Sequence, residues 1–137
     1  MSTPTVARQR PATGSLWGPR VLGAALLAAM GWIHLDLWLD GYRTIDVIGP
    51  AFLLTTLAGF GLAVAVLVTP GALLQWVAVL GALTALGTLA GLLATTVGLF
   101  GFVESTAADL WWESFWVEIA AVVVLGALAA LAARRRD

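Results

Sequence analysis

The chain has 137 residues, of which 61% are apolar and 11% are charged, whereas soluble globular domains are about 45–50% apolar and about 25% charged. This composition excludes an ordinary water-soluble fold. The formal net charge of −1 and the few basic residues exclude a nucleic-acid-binding surface, and the absence of cysteine excludes disulfides and thiolate metal sites.

The apolar residues fall into four segments, which predict an all-α membrane domain over residues 20–133. Each segment has about the 20 residues that a helix needs to cross a bilayer. The stretch from Val47 to Val103 carries no charge and is too long for one crossing, so Pro70 and Gly71 are expected to form a tight turn inside it. We predict a four-transmembrane-helix bundle with short loops and helices at about 20–39, 47–68, 73–99 and 115–133.

The arginines predict the orientation of this bundle. Residues 1–19 have the composition of a flexible cytoplasmic tail, and residues 134–137 form a basic cytoplasmic end. Arginine is enriched in cytoplasmic segments, and here Arg43 is alone on the side opposite the other six: Arg8, Arg10, Arg20, Arg134, Arg135 and Arg136. We therefore expect both termini in the cytoplasm (N-in, C-in). The composition favours a bacterial cytoplasmic membrane, and the first helix is expected to be retained rather than cleaved as a signal peptide.

Three ionisable residues are predicted to lie within the membrane, near its acidic side. At about 1.5 Å of rise per residue, His34 lies about 21 Å from the arginine layer, and Asp36 and Glu118 lie about 24 Å from it. Such residues usually face the interior of a bundle. His34 and Asp36 fall on different faces of the first helix, so Glu118 can pair with one of them but hardly with both. The sequence leaves that choice open.

The acidic side also carries a rim of polar and aromatic residues that predicts an interaction surface for a membrane-protein partner or a second copy. Tryptophan prefers this depth, at the membrane–water interface. The candidates in the outer loops are Asp40, Tyr42, Arg43, Asp46 and Glu113.

Gly87 and Gly91 form a G-x-x-x-G pair on the third predicted helix. Small residues at this spacing allow two helices to approach closely in a membrane. The pair predicts helix packing within the bundle or, as the alternative, an oligomer face.

Three short segments resemble small four-helix integral membrane proteins of actinobacteria. The shared pattern reads H-L-x-L-W/Y, G-Y-R and I-G-x-x-F-L-L. In this chain it falls on His34, Tyr42, Arg43, Gly49 and Phe52. A more distant similarity, in size and helix count only, is to DoxX-like membrane proteins. The resemblance implies a four-helix fold and carries no activity or catalytic residue with it.

Three hypotheses for function follow from these patterns. The first is a small accessory or structural membrane protein that uses its acidic, Trp-rich rim to bind a partner. The alternative is a proton- or cation-coupled transporter or sensor centred on His34 and Glu118. The third is a membrane enzyme that acts on a lipid or quinone. No nucleotide-binding, hydrolase or metalloprotease motif occurs, so an enzyme is not favoured, and neither a cofactor nor a metal site is predicted.

Overall fold

The computed structural model describes Met1 and residues 15–135, which form four α-helices. A short 3₁₀ turn, Tyr42–Thr44, separates the first two helices. Each helix is long and apolar enough to cross a membrane. The prediction of an all-α bundle of four membrane-spanning helices is therefore confirmed, and the chain is a multi-pass membrane protein. The helices are α1 (Trp17–Leu39), α2 (Ile48–Val68), α3 (Leu73–Thr95) and α4 (Trp111–Arg134).

Helix α1 packs against α2 and α4, and α4 packs in turn against α3. Helices α2 and α3 are joined by a short hairpin, yet they pack against each other less than the other neighbouring pairs do. This hairpin, the start of α1 and the end of α4 lie at one end of the bundle, which we call the hairpin end. The α1–α2 and α3–α4 connections lie at the opposite end, the loop end. The largest fully buried apolar side chains are Leu27, Met30, Val66, Leu125 and Leu128.

The surface of the bundle is apolar as well as its core. Leu57, Val64 and Leu83 are each more than half exposed, with relative exposures of 64%, 59% and 58%. Helices that are apolar on every side are typical of membrane spans, because lipid rather than water surrounds them. Packing between the helices must therefore come from close contact rather than from the hydrophobic effect.

Two glycines supply that close contact between α1 and α2. A Cβ atom at Gly59 would lie 2.8 Å from the carbonyl oxygen of Leu27 and 2.9 Å from the backbone nitrogen of Gly31. A Cβ atom at Gly31 would lie 3.1 Å from the carbonyl oxygen of Thr56. The two helix backbones thus touch directly, with no room for a side chain between them.

Arg20 fixes the start of α1 to the end of α2. Its guanidinium donates hydrogen bonds of 2.8–2.9 Å to the carbonyl oxygens of Val66, Leu67 and Thr69. The last carbonyls of a helix have no partner within the helix, and they attract positive charge. The same guanidinium lies 4.6 Å from the ring centroid of Trp17. Arg20 is therefore a structural cap at the hairpin end.

A tight turn shapes the connection between α3 and α4. Leu99 and Phe102 exchange two backbone hydrogen bonds, of 2.8 and 2.9 Å. Between them, Phe100 and Gly101 have φ angles of +50° and +77°. Positive φ at both central residues is typical of a type I′ turn, in which glycine is favoured. The turn folds the connection back over the loop end of the bundle.

Three predicted helix boundaries are wrong by about one turn. Helix α1 begins at Trp17 because Pro19 lies in its first turn, where the missing N–H costs little. Helix α3 ends at Thr95, whose carbonyl accepts a 2.8 Å hydrogen bond from the backbone of Glu104 instead of continuing the helix. Helix α4 begins at Trp111, directly after Leu110, which has a φ of +59°.

Part of the predicted tail and of the basic C-terminal end lies outside the described residues. These positions include Arg8, Arg10 and Arg136. The predicted orientation of the termini therefore stays a prediction.

Candidate functional site

His34 of α1 and Glu118 of α4 meet inside the bundle. His34 Nε2 lies 3.9 Å from Glu118 Oε1, the one contact within 4.0 Å between a basic and an acidic side chain found among residues 15–135. The two residues are 7% and 0% exposed. By helix rise, the pair lies about 8–11 Å below the loop end of the helices. The choice that the sequence left open falls on His34, and Asp36 is exposed instead.

A hydrogen bond determines which nitrogen of His34 carries a proton. Nδ1 lies 2.8 Å from the carbonyl oxygen of Met30. A carbonyl only accepts, so Nδ1 is the donor, and the neutral ring has its lone pair on Nε2, toward Glu118. If the gap shortens by about 1 Å to hydrogen-bonding distance, a protonated Glu118 can donate to that lone pair. Transfer of this proton converts two neutral groups into an imidazolium–carboxylate pair, and both arrangements have a net charge of zero.

The carboxyl group of Glu118 is buried with one oxygen unsatisfied. The Ser114 hydroxyl donates to Oε1 over 2.9 Å, whereas Oε2 has no hydrogen-bond partner among the described residues. Thr88 of α3 lies beside the carboxyl group, but its hydroxyl donates to the carbonyl oxygen of Ala85 over 2.9 Å. A buried carboxylate is costly unless a positive charge or several donors compensate for it. We therefore expect His34 and Glu118 to share one proton in addition to the one on His34 Nδ1.

A cavity of about 320 Å³ borders the pair, with His34 and Ser114 in its wall. It lies between the loop-end halves of α2 and α3, and residues 108–110 cover it from the connection above. Leu54 on α2 and Gly87 on α3 line the cavity and are also exposed, so the cavity opens at the surface between these helices. In a bilayer this opening faces lipid.

Aromatic rings form a continuous row along the cavity. The ring centroids of His34 and Phe52 are 4.9 Å apart, those of Phe52 and Tyr42 are 5.0 Å apart, and those of Tyr42 and Phe102 are 5.9 Å apart. Trp111 also lines the cavity and is 5% exposed, and its Nε1–H has no hydrogen-bond partner in the described part of the chain. Buried indoles usually donate to an acceptor. The wall thus contains four aromatic side chains besides His34 and a buried N–H group without a partner.

Tyr42 joins the two connections at the loop end. Its hydroxyl donates a hydrogen bond to Glu104 Oε2, and we call this contact the Tyr42–Glu104 latch. Glu104 Oε1 accepts a 3.0 Å hydrogen bond from the backbone of Ser105. Burial raises the pKa of Tyr42, and the hydrogen bond to Glu104 and the nearby acids Asp109 and Asp40 raise it further. The phenol therefore stays protonated and remains a donor at neutral pH.

The other predicted polar candidates lie away from the cavity. Arg43 makes no ion pair within 4.0 Å with any of the predicted acidic candidates, which are Asp36, Asp40, Asp46 and Glu113. It contributes instead through its backbone, because a Cβ atom at Gly49 would lie 2.6 Å from the Arg43 carbonyl oxygen. Of the predicted loop candidates, Tyr42 alone lines the cavity. The exposed candidates outside it are Asp36, Asp40, Arg43, Asp46 and Glu113.

Gly87 and Gly91 line the cavity instead of a helix contact. A Cβ atom added at either glycine would meet no atom within 4 Å. The prediction that they pack helices within the bundle is therefore wrong, because no neighbouring helix lies against either glycine. The alternative, an oligomer face, stays a prediction.

Sequence reasoning missed Ser114, Glu104 and Trp111. Ser114 and Glu118 are four residues apart and share a helix face. This spacing would have indicated a contact between them if α4 had been predicted to begin at Trp111. Glu104 gave no such signal, because its partner Tyr42 lies 62 residues away in the sequence.

Within the described residues, no group of three or more His, Asp or Glu side chains could hold a metal ion. Comparison with known protein families, curated proteins and solved structures finds no match. The resemblance to actinobacterial membrane proteins therefore stays a prediction, and function has to be argued from the chemistry of the site.

Proposed function

We propose that the protein is a proton-binding transporter or sensor whose working site is the His34–Glu118 pair. The observation that carries this proposal is the burial of Glu118, which is 0% exposed and has an unsatisfied carboxyl oxygen. Ionisable groups within a membrane are costly and usually mark a pathway for protons or ions. A pair with a purely structural role gains little, because well-packed apolar residues are often as stabilising as a buried ion pair.

No charged side chain of the neighbouring helices α2 and α3 compensates the negative charge that the pair carries once it has lost its proton. Helix α2 faces it with Phe52 and α3 with Thr88, neither of which is charged. The titratable residues that line the cavity with His34 are Tyr42, Glu104 and Asp109. Loss of the proton therefore leaves a negative charge in a medium of low dielectric constant, where charge is expensive. Such a change can bias the packing of α1 against α4.

The cavity supplies a route to the pair, because His34 lies in its wall. The distribution of arginine supports an orientation with the hairpin end in the cytoplasm of a bacterium. In that orientation the cavity opens into the outer half of the bilayer, and the pair exchanges its proton with the outer side.

Infrared spectroscopy of the full chain in lipid tests this proposal, because a protonated carboxyl group absorbs at a different frequency from a carboxylate. We expect a pH titration to show a buried carboxyl band that is absent in Glu118→Gln and displaced in His34→Ala. Asp36→Asn is the matched control, since Asp36 is on the same helix as His34 but exposed. If all three variants keep the wild-type titration, or if reconstituted protein shows no pH-dependent flux or structural change, the pair is only structural.

A second candidate function is that of a small accessory membrane protein that binds a partner through the acidic, Trp-rich rim at the loop end. Trp112 and Trp116 are 52% and 61% exposed near the start of α4, and so present large aromatic surfaces outside the bundle. Interfacial tryptophans also anchor a helix to lipid without a partner. Cross-linking from these two positions in cells separates the roles, because an accessory protein yields a discrete protein adduct, whereas a lipid anchor yields none.

A further inference from the structure

The charged residues around the cavity share one sign. Glu104 and Asp109 lie in its wall, and Glu118 lies behind His34 and Ser114. None of the residues lining the cavity in the described part of the chain is Arg. Glu104 and Asp109 therefore make the potential in the cavity negative, Glu118 adds to it once the pair has lost its proton, and this potential opposes the entry of an anion.

The apolar part of the cavity wall does not by itself favour a ligand over a lipid chain. Lipid chains are as apolar as leucine, so a ligand that moves from the bilayer into an apolar cavity gains no hydrophobic free energy. Discrimination between a ligand and a lipid chain must come from polar and charged contacts. Here the groups available for such contacts are the acids and the aromatic rings of Tyr42, Phe52 and Phe102, which line the cavity. Aromatic faces carry partial negative charge and attract cations.

The pair adds a requirement for one positive charge. With its proton, the His34–Glu118 pair is neutral, and without it the pair carries one negative charge. A proton satisfies this requirement, and so does an organic cation seated in the adjoining cavity. Because either charge relieves the cost of the buried carboxylate, the two are expected to compete.

We propose that the cavity binds a lipophilic organic cation, an ammonium group on an apolar body, in exchange for the proton of the His34–Glu118 pair. The inference rests on the proposed function, since it needs the pair to titrate. The ligand enters from the bilayer between α2 and α3, where Gly87 and Gly91 line the cavity and have no side chains to close the opening. Its apolar body fills the cavity of about 320 Å³, and its cationic head lies against the aromatic row. No covalent step is involved.

Two probes of matched shape test this inference on the full chain in detergent micelles. Benzyltrimethylammonium carries a positive charge, and neopentylbenzene is its neutral carbon isostere. We expect calorimetry to show that the cation binds about tenfold or more tightly than the isostere, as cation–π contact in a desolvated site allows. In weak buffer, the cation should release a proton as it binds, and its affinity should rise with pH. Glu118→Gln should abolish the proton release.

Gly87→Leu tests the location of the site. A side chain here projects into open space at the cavity wall, so we expect the variant to fold and to lose cation binding while keeping the infrared carboxyl titration. Gly61→Leu is the matched control, because Gly61 is also exposed and unobstructed but lies outside the cavity wall.

The results separate failure of the ligand from failure of the pair. Equal binding of the two probes, binding of the cation without proton release, or full binding in Gly87→Leu overturns the ligand proposal. If the carboxyl titration is normal but no cation binds, the ligand proposal fails and the proposed function stands. If the carboxyl band never titrates, the proposed function itself fails.

Discussion

Replacement of Gly59 by alanine should separate α1 from α2. The added Cβ atom would lie 2.8 Å from the Leu27 carbonyl oxygen and 2.9 Å from two backbone atoms of Gly31, whereas ordinary contact begins at 3.4 Å. All of these are backbone atoms, so no side chain can rotate away, and the helices must move apart by about half an ångström. Overpacking of this kind costs about 1–3 kcal/mol.

Gly61→Ala provides the control for this measurement. Gly61 lies on the same helix, two residues away, and a Cβ atom there would meet nothing within 4 Å. Both variants gain the helix propensity of alanine, which favours it over glycine by about 1 kcal/mol. The difference between them therefore isolates the contact with α1.

The assay is reversible unfolding in mixed micelles, followed by circular dichroism. We expect Gly61→Ala to match or exceed the wild-type stability and Gly59→Ala to fall below Gly61→Ala by about 1–3 kcal/mol. If the two variants unfold at the same denaturant concentration, the backbone contact between α1 and α2 contributes nothing, and the reasoning from close approach is wrong.

Three further predictions concern the ends of the bundle. Tyr42 is the single tyrosine of the chain, so ultraviolet absorbance reports its ionisation alone. We expect Tyr42 to ionise at a higher pH than free tyrosine does. In Glu104→Gln the pH of ionisation should move back toward that of free tyrosine. Because the folded-state pKa of Tyr42 is raised, its contribution to stability is fully present below about pH 10 and is lost as the pH rises above that value, and Tyr42→Phe should lack this decline. Arg20→Gln should lower the unfolding free energy by about 1–3 kcal/mol through loss of the α2 cap, whereas the exposed Arg134→Gln should change it little. Gly101→Val should destabilise by about 1–2 kcal/mol, because a β-branched residue is strained at positive φ, and thermal unfolding checks this.

The helix count and the shared depth of His34 and Glu118 could be predicted because both depend only on length, charge and helix rise. The rotation of each helix could not, since helices that are apolar on every side carry almost no signal for which face is buried. For this reason the sequence favoured Gly87 as a packing residue, although a Cβ atom there would meet nothing within 4 Å, whereas one at Gly59 would lie 2.8 Å from the Leu27 carbonyl oxygen.

The loop end was the least predictable region. The Tyr42–Glu104 latch joins two connections through side chains that are distant in sequence, and no local pattern specifies such a contact. The start of α4 was also missed, because tryptophan and acidic residues are typical both of an interfacial loop and of the first turn of a helix. The consequence was that Ser114, which orients the carboxyl group of Glu118, was assigned to a loop.

The hairpin between α2 and α3 closes one end of the bundle, and the gap between the same helices stays open at the other. The cavity therefore lies in one half of the bilayer only. Lipid chains in that half compete for the gap and press on its walls, so crowding of that leaflet opposes any larger occupant. If the cavity exchanges a ligand for the proton of the buried pair, as proposed, that exchange should depend on the lipids of this one leaflet.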